Sequence, residues 1–376
     1  MTDIRLAALN EYESVSTFID QNWKKDHIYT RSRKLFDWTF LDNPAWEELH
    51  YSISIAVHRE NIVGMLGTIP FRLNIYGAIY DACWLVNWLV KPEERKGRVG
   101  LDLLKLFSKD YRYDTISFGI NDAVSRLYTA LRWQHMPPIE RVVWFNPEKI
   151  LEVKHLLIET NANVSHDAIM QYLRSNVSEV RQFNSRVLDP IQTLESLDWD
   201  KNGWGKWKNN TIGCCRDSKY LTWRYLMHPI YTYQLRMIPD GENIGLIVWR
   251  VENTSKKNIR SELESFYPIA RIVEFLPASD VNALHLVSDF IAHSFACGVV
   301  AADFYCHNRG VIDMLQKFGF SNSNANTNIS LSNYANPVAI GKIIRSAINI
   351  NKGHQVDANS ADWYWTRSDS DQDRPN

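Results

Sequence analysis

The chain alternates between two hydrophobic rhythms. "HYSISIAVHR" (50–59) places apolar residues at every second position, as in a half-buried strand. "NIVGMLGTIPFRLNIYG" continues in the same way, turning at Asn61 and near Gly77, and "IYDACWLVNWLV" (79–90) has the near-continuous apolar character of a buried strand. Residues 11–25, 32–41, 98–111 and 122–133 carry helical spacing instead; in 32–41 it is set by Leu35, Phe36, Phe40 and Leu41. Short strands are expected at 4–9, 114–120 and 140–145. The order β, α, α, three or four strands, then α, β, α, β predicts an α/β layer domain over residues 1–150. A polar, helical connection follows over 151–205, and then a second strand-rich run over 206–350.

The second run repeats the first. "RSRKLFDWTFLDNP" (31–44) lies over "RDSKYLTWRYLMHP" (216–229) at an offset of 185, with Arg31/Arg216, Lys34/Lys219, Trp38/Trp223, Leu41/Leu226 and Pro44/Pro229 identical. "FGINDAVSRLYTALRW" (118–133) lies over "YCHNRGVIDMLQKFGF" (305–320) at an offset of 187, matching Asn121 with Asn308. Both runs then reach an Asn-Pro, at 146–147 and 336–337. Three matches in one order at nearly one offset predict two tandem α/β domains, each a mixed sheet flanked by helices.

Composition narrows the class. A net charge of −1 over 376 residues gives no basic field for nucleic acid. No apolar run approaches the length of a membrane span, and the start lacks a signal-peptide profile. Five cysteines without a CxxC pair suit reduced thiols in a cytoplasm, not a zinc site or a disulfide frame. Fourteen tryptophans and seventeen tyrosines exceed what a core needs and suggest aromatic walls for a flat or sugar-like ligand. Over 351–376, Trp363, Tyr364 and Trp365 argue against a fully disordered tail, because three large aromatics rarely stay in water.

The chemistry centres on "VKPEERKGRVGLDLLKLF" (90–107). A strand ends at Val90-Lys91-Pro92, a charged loop follows, and a helix begins. First-turn amides lack intrahelical acceptors and the helix dipole adds positive character, so this is a place for a pyrophosphate. Arg95, Lys96, Gly97, Arg98, Val99 and Gly100 form the loop.

This stretch resembles motif A of the GNAT superfamily of N-acetyltransferases. Arg95 and Gly100 match that motif, whereas Arg98 stands where it has its middle glycine. The run Asn121…Tyr128, ending in Arg132-Trp133, resembles the family's later N-x-x-A-x-x-x-Y-x-x-x-G-F element. The resemblance implies acetyl-CoA as donor, bound by residues 95–100 and Asn121, with its pantetheine between strands 84–90 and 114–120. Amides near Leu89 and Val90 would polarise the thioester, and Tyr128 would protonate the leaving thiolate. In the second copy Leu315 replaces the tyrosine and no glycine cradle is present, so that copy is expected to be degenerate and to serve as a wall of the acceptor site.

The general base is left open. Trp84, Val86 and Trp88, read as sharing a face with Val90, take no proton, and Asn87 is read as pointing away. His307, His228, Asp369 and Asp371 are the candidates from elsewhere, His228 and Asp371 also as substrate contacts together with Trp88. The resemblance extends to two-domain GNAT-like proteins of polysaccharide biosynthesis, whose endings "DSDQDR" is similar to, and this implies that the 351–376 tail folds back to the cleft. It implies a nucleotide-linked amino sugar as acceptor, its diphosphate met by Arg31, Arg33 or Arg216. The alternatives are a Fem-type aminoacyltransferase and a non-catalytic GNAT-like scaffold. No metal is expected.

Overall fold

A computed structural model describes residues 2–177, 198–257, 264–322, 329–333, 339–340, 344–354 and 356–375. Part of the 151–205 connection and the Asn-Pro at 336–337 lie outside the described residues.

The strands are β1 (Asp3–Leu6), β2 (Ile53–His58), β3 (Asn61–Ile75), β4 (Ala78–Val90), β5 (Asp114–Phe118), β6 (Gln134–His135), β7 (Glu140–Phe145), β8 (Ile212–Cys214) and β9 (Gln234–Asp240). They continue with β10 (Asn243–Lys257), β11 (Glu264–Leu276), β12 (Ala301–Cys306), β13 (Ser321–Asn322), β14 (Ser332–Asn333), β15 (Ala339–Ile340), β16 (Ser346–Asn349) and β17 (Trp363–Tyr364). Two mixed sheets carry the fold. One runs β1-β2-β3-β4-β5-β16-β6, with β8 beside β3 and β17 beside β8; the other runs β9-β10-β11-β12-β7-β13. Strand for strand, β2-β3-β4-β5-β16-β6 and β9-β10-β11-β12-β7-β13 have the same pairing senses, with one parallel step each, β4/β5 and β11/β12.

The sheets exchange a strand. The 140–145 strand, which the sequence places in the first layer, pairs antiparallel with β12 in the second sheet. Conversely, β16 returns from near the end of the chain to pair with β5 and β6. Pro137 and Pro138 stand between β6 and β7. Two consecutive prolines hold an extended path and cannot form the tight hairpin that would keep β7 beside β6. Alternation along "ERVVWF" reports a strand but not which sheet receives it.

The repeated residues explain the junction. Trp38 and Trp223 stack face to face at 4.6 Å. Each indole N–H donates to the other's backbone carbonyl, both at 3.1 Å. This is the self-complementary contact of a two-fold interface, made within one chain. Asn121 and Asn308 cap the helices Asp122–Ala130 and Arg309–Lys317 by accepting from the amides of Val124 and Val311. One continuous apolar core, from Ala7 to Trp365, runs through both halves.

Candidate functional site

β4 and β5 run side by side only from Ala82/Asp114 to Leu85/Ser117. β4 then continues to Val90 along β3 alone, so the two strands part and leave a V-shaped cleft. A bulge sits at the parting point. Met65 faces Leu89 and Gly67 faces Val86, so β4 carries one extra residue. Asn87 adopts φ +52°, in the left-handed region that asparagine tolerates better than most residues.

The bulge corrects the sequence reading of this strand. Of Trp84, Val86 and Trp88, only Trp88 shares a face with Val90. Trp84 and Val86 pack into the main core, whereas Trp88 and Val90 pack against a second cluster around Leu103 and Phe107. The extra residue shifts the alternation by one, and a strict period of two cannot anticipate it.

The cleft encloses about 270 Å³ and is lined by Asn87, Trp88, Leu89, Ser117, Asn121 and Tyr128, among others. Both amide atoms of Asn87 and the indole nitrogen of Trp88 are buried without hydrogen-bond partners among the described residues. Unsatisfied buried polar atoms cost free energy, so their concentration here marks a place for a ligand. Sequence reasoning missed Asn87; an asparagine amid a β-branched and aromatic run was the available signal.

Tyr128 lies at the closed end. Its ring stacks on Trp133 at 4.0 Å and on Trp88 at 6.2 Å, and its hydroxyl shares a hydrogen bond with Ser117. Burial raises the phenol well above its ordinary value, so it keeps its proton at neutral pH.

The loop after β4 leads to the helix Val99–Lys105. Arg95 donates through Nε to the Val90 carbonyl at 2.9 Å, which ties the loop to the strand end. Lys96, Gly97 and Arg98 are exposed. A β-carbon on Gly100 would lie 3.6 Å from the Trp88 ring, in ordinary contact, so the loop abuts the cleft through Trp88.

The segment after β17 forms the remaining wall. Asp371, Gln372 and Arg374 line the cleft, with Asp371 ion-paired to Arg374. Gln372 reaches the Phe118 carbonyl at 3.3 Å and packs over Gly119. Asp371 is the one carboxylate among the described residues lining this cleft.

The other sequence candidates lie away from it. Asp369 is wholly buried, 2.6 Å from Arg216, which also binds Glu274 at 2.6 Å. Arg216 is therefore spent inside the protein and does not reach a substrate. His307 bonds the Pro137 carbonyl at 2.9 Å through Nε2, and burial lowers it to about 4. His228 accepts amide hydrogens from Ile230 and Tyr231 at Nδ1, and burial lowers it to about 3. Arg31 is exposed in the last turn of the short helix Ile28–Arg31, and neither it nor Arg33 lines the cleft.

The second half repeats the geometry but is filled. β11 has the equivalent bulge, with Val248 facing Glu274 and Trp249 facing Ile272, and its pairing with β12 stops at Ile272/Phe304. Here the Phe275 amide, which corresponds to that of Leu89, donates to the Tyr364 hydroxyl at 3.0 Å. That hydroxyl in turn donates to Glu274 at 2.9 Å. β17 and the residues after it thus occupy the groove that stands open in the first half.

Residues 3–135 match the family model described as an acetyltransferase (GNAT) domain. The chain carries an acyltransferase domain. No curated protein matches the chain. Among solved structures, a GCN5-related N-acetyltransferase from Anabaena variabilis superposes with a TM-score of 0.55 at 13% identity, covering 96% of this chain and 75% of that one. Saccharomyces cerevisiae N-myristoyltransferase with bound myristoyl-CoA gives 0.53 at 11% identity, covering 92% of this chain and 82% of that one. At these identities the likeness is one of fold, and it extends over both halves. Among the described residues no helix is long and apolar enough to cross a membrane, and no group of three or more metal-ligating side chains occurs.

Proposed function

We propose that this protein is a duplicated GNAT-type N-acetyltransferase that moves an acetyl group from acetyl-CoA to an amine of a nucleotide-linked amino sugar, in polysaccharide biosynthesis. The observation that carries the transfer chemistry is the open cleft between β4 and β5. It has unsatisfied polar atoms at its bulge and a proton-bearing Tyr128 at its end.

The loop 95–100 would hold the donor's pyrophosphate on first-turn amides and basic side chains. The Leu89 amide would polarise the thioester carbonyl, a role supported by the Phe275 amide, which points at a hydroxyl oxygen in the second half. The amine nitrogen attacks the carbonyl carbon and the C–S bond breaks. Tyr128 gives its proton to the thiolate, and Asp371 takes the proton released by the amine. Trp88, and Trp23 at the cleft mouth, offer faces for a sugar.

Thermal melting with and without millimolar acetyl-CoA tests the reading. Wild type and Tyr128→Phe should melt higher with the donor, by mass action, and Gly100→Trp should not. Tyr128→Phe should lower turnover by roughly 10²–10⁴-fold, the usual worth of a positioned acid. A wild-type melting point unmoved by acetyl-CoA overturns the reading.

A further inference from the structure

Behind the 371–374 segment lies a second, larger cavity of about 500 Å³. Asp371, Gln372 and Arg374 line both cavities, so the two are neighbours across one strip of chain. Arg250, Arg271 and Arg367 join Arg374 around it, against Glu252, Asp371 and Asp373, giving four arginines to three carboxylates.

The pairing is uneven. Arg250 binds Asp373 at 2.7 Å and Glu252 at 2.5 Å. Glu252 also holds Arg271, which lies 3.6 Å from Asp303. Arg374 takes Asp371. Arg367 remains without an ion pair among the described residues. It makes a long 3.4 Å contact from Nε to the Gln372 carbonyl, lies over the Tyr305 ring at 5.3 Å, and leaves Nη1 buried with no acceptor. Burial, with Arg271 beside it, pulls its guanidinium below the ordinary value. Asp303 and Asp373 attract it only through space and do not outweigh its burial, so an anion that enters the cavity and bonds it directly relieves the remaining cost. The guanidinium fork matches two oxygens of one phosphoryl group. Tyr231, under the Arg250 guanidinium at 3.8 Å, adds an aromatic wall.

We infer that this arginine-lined cavity is the acceptor's phosphoryl site, holding a phosphate or pyrophosphate group while the amine end passes the 371–374 strip into the thioester cleft. The inference rests on the acyltransferase reading for the word acceptor, but the site itself stands on the cavity and its charges.

The test is thermal melting with inorganic pyrophosphate, in saturating CoA so that the 95–100 loop is already filled. Wild type should rise by about 3 °C at roughly 100 times Kd. Arg367→Gln should lose that rise and keep the shift with acetyl-CoA. Asn253→Glu adds a negative charge at the exposed rim and should weaken the pyrophosphate response while leaving the core intact, which covers the case of an unfolded Arg367→Gln. A wild type blind to pyrophosphate but stabilised by acetyl-CoA overturns the site and leaves the acyltransferase reading standing. A pyrophosphate response with none to CoA or acetyl-CoA, lost in Arg367→Gln, sustains the site and removes that reading. Stabilisation by succinate but not pyrophosphate, or a response undiminished in both variants, overturns the phosphoryl assignment.

Discussion

His228 provides a quantitative check on the buried junction. Its Nδ1 accepts amides from Ile230 at 3.2 Å and Tyr231 at 2.9 Å, so the neutral ring carries its proton on Nε2, which is buried without a partner among the described residues. Burial comes first among the causes that lower it to about 3; Arg224 and Arg250 push the same way, and Asp373 opposes. The folded value lies below the unfolded value of about 6.5, so below that pH the unfolded chain binds a proton that the folded one refuses. Stability is therefore full above pH 6.5 and falls with pH until the folded value is reached. Between pH 7 and pH 5 this single group should remove about 2 kcal/mol. His228→Asn keeps an acceptor for the two amides and does not titrate. Urea unfolding followed by tryptophan fluorescence should show the fall from pH 7 to pH 5 smaller in the variant by about 2 kcal/mol. His27 and His307, each lowered to about 4, keep their own share in both proteins. An identical fall in variant and wild type would refute the reasoning, because it would mean that His228 titrates alike in the folded and unfolded chains.

Two further substitutions probe the symmetry. Trp38→Phe and Trp223→Phe each strip one buried carbonyl of its donor and should cost about 1–3 kcal/mol apiece in urea unfolding. The double variant should depart from additivity by about 0.5–3 kcal/mol, since the two rings share one contact; strict additivity would argue against a coupled pair. Tyr364→Phe removes the hydroxyl that satisfies Glu274 and the Phe275 amide, and should cost about 1–3 kcal/mol in urea unfolding.

Much of the scaffold was legible in local patterns. The strands at 53–75 and 79–90 and the helix-period runs after Gly97 and Asn121 follow from alternation, glycine and a capping asparagine, all of which act within a few residues. The repeat was legible too, because Trp38/Trp223 and Asn121/Asn308 serve shared structural roles. Other features depend on residues far apart in sequence. The destination of β7 depends on β12, some 160 residues away, and the facing of Trp88 depends on one bulge residue. Arg216 and Asp369 looked like surface chemistry because charged residues usually are; only their mutual burial, with Glu274, reveals a structural pair. Arg367 carried no pattern at all, and its interest arises from the direct ion pair that it lacks among the described residues.

The filled groove of the second half explains why two similar scaffolds need not do the same chemistry. Both halves retain the bulge and the parting of strands, so both present an amide and an opening where a ligand would enter. In the second half Tyr364, Trp365 and Thr366 occupy that opening; among the described residues the Trp365 indole finds no acceptor, while its carbonyl accepts from the His307 amide at 3.0 Å. Having crossed the second half, the same strand of chain emerges as residues 371–374 and becomes the wall of the first half's cleft. The segment that closes one groove thus supplies the other with Asp371, the carboxylate that its own strands lack. Loosening of residues 363–369 should therefore be felt at the open cleft through displacement of Asp371 and Arg374, with no contact needed between the altered residue and the donor.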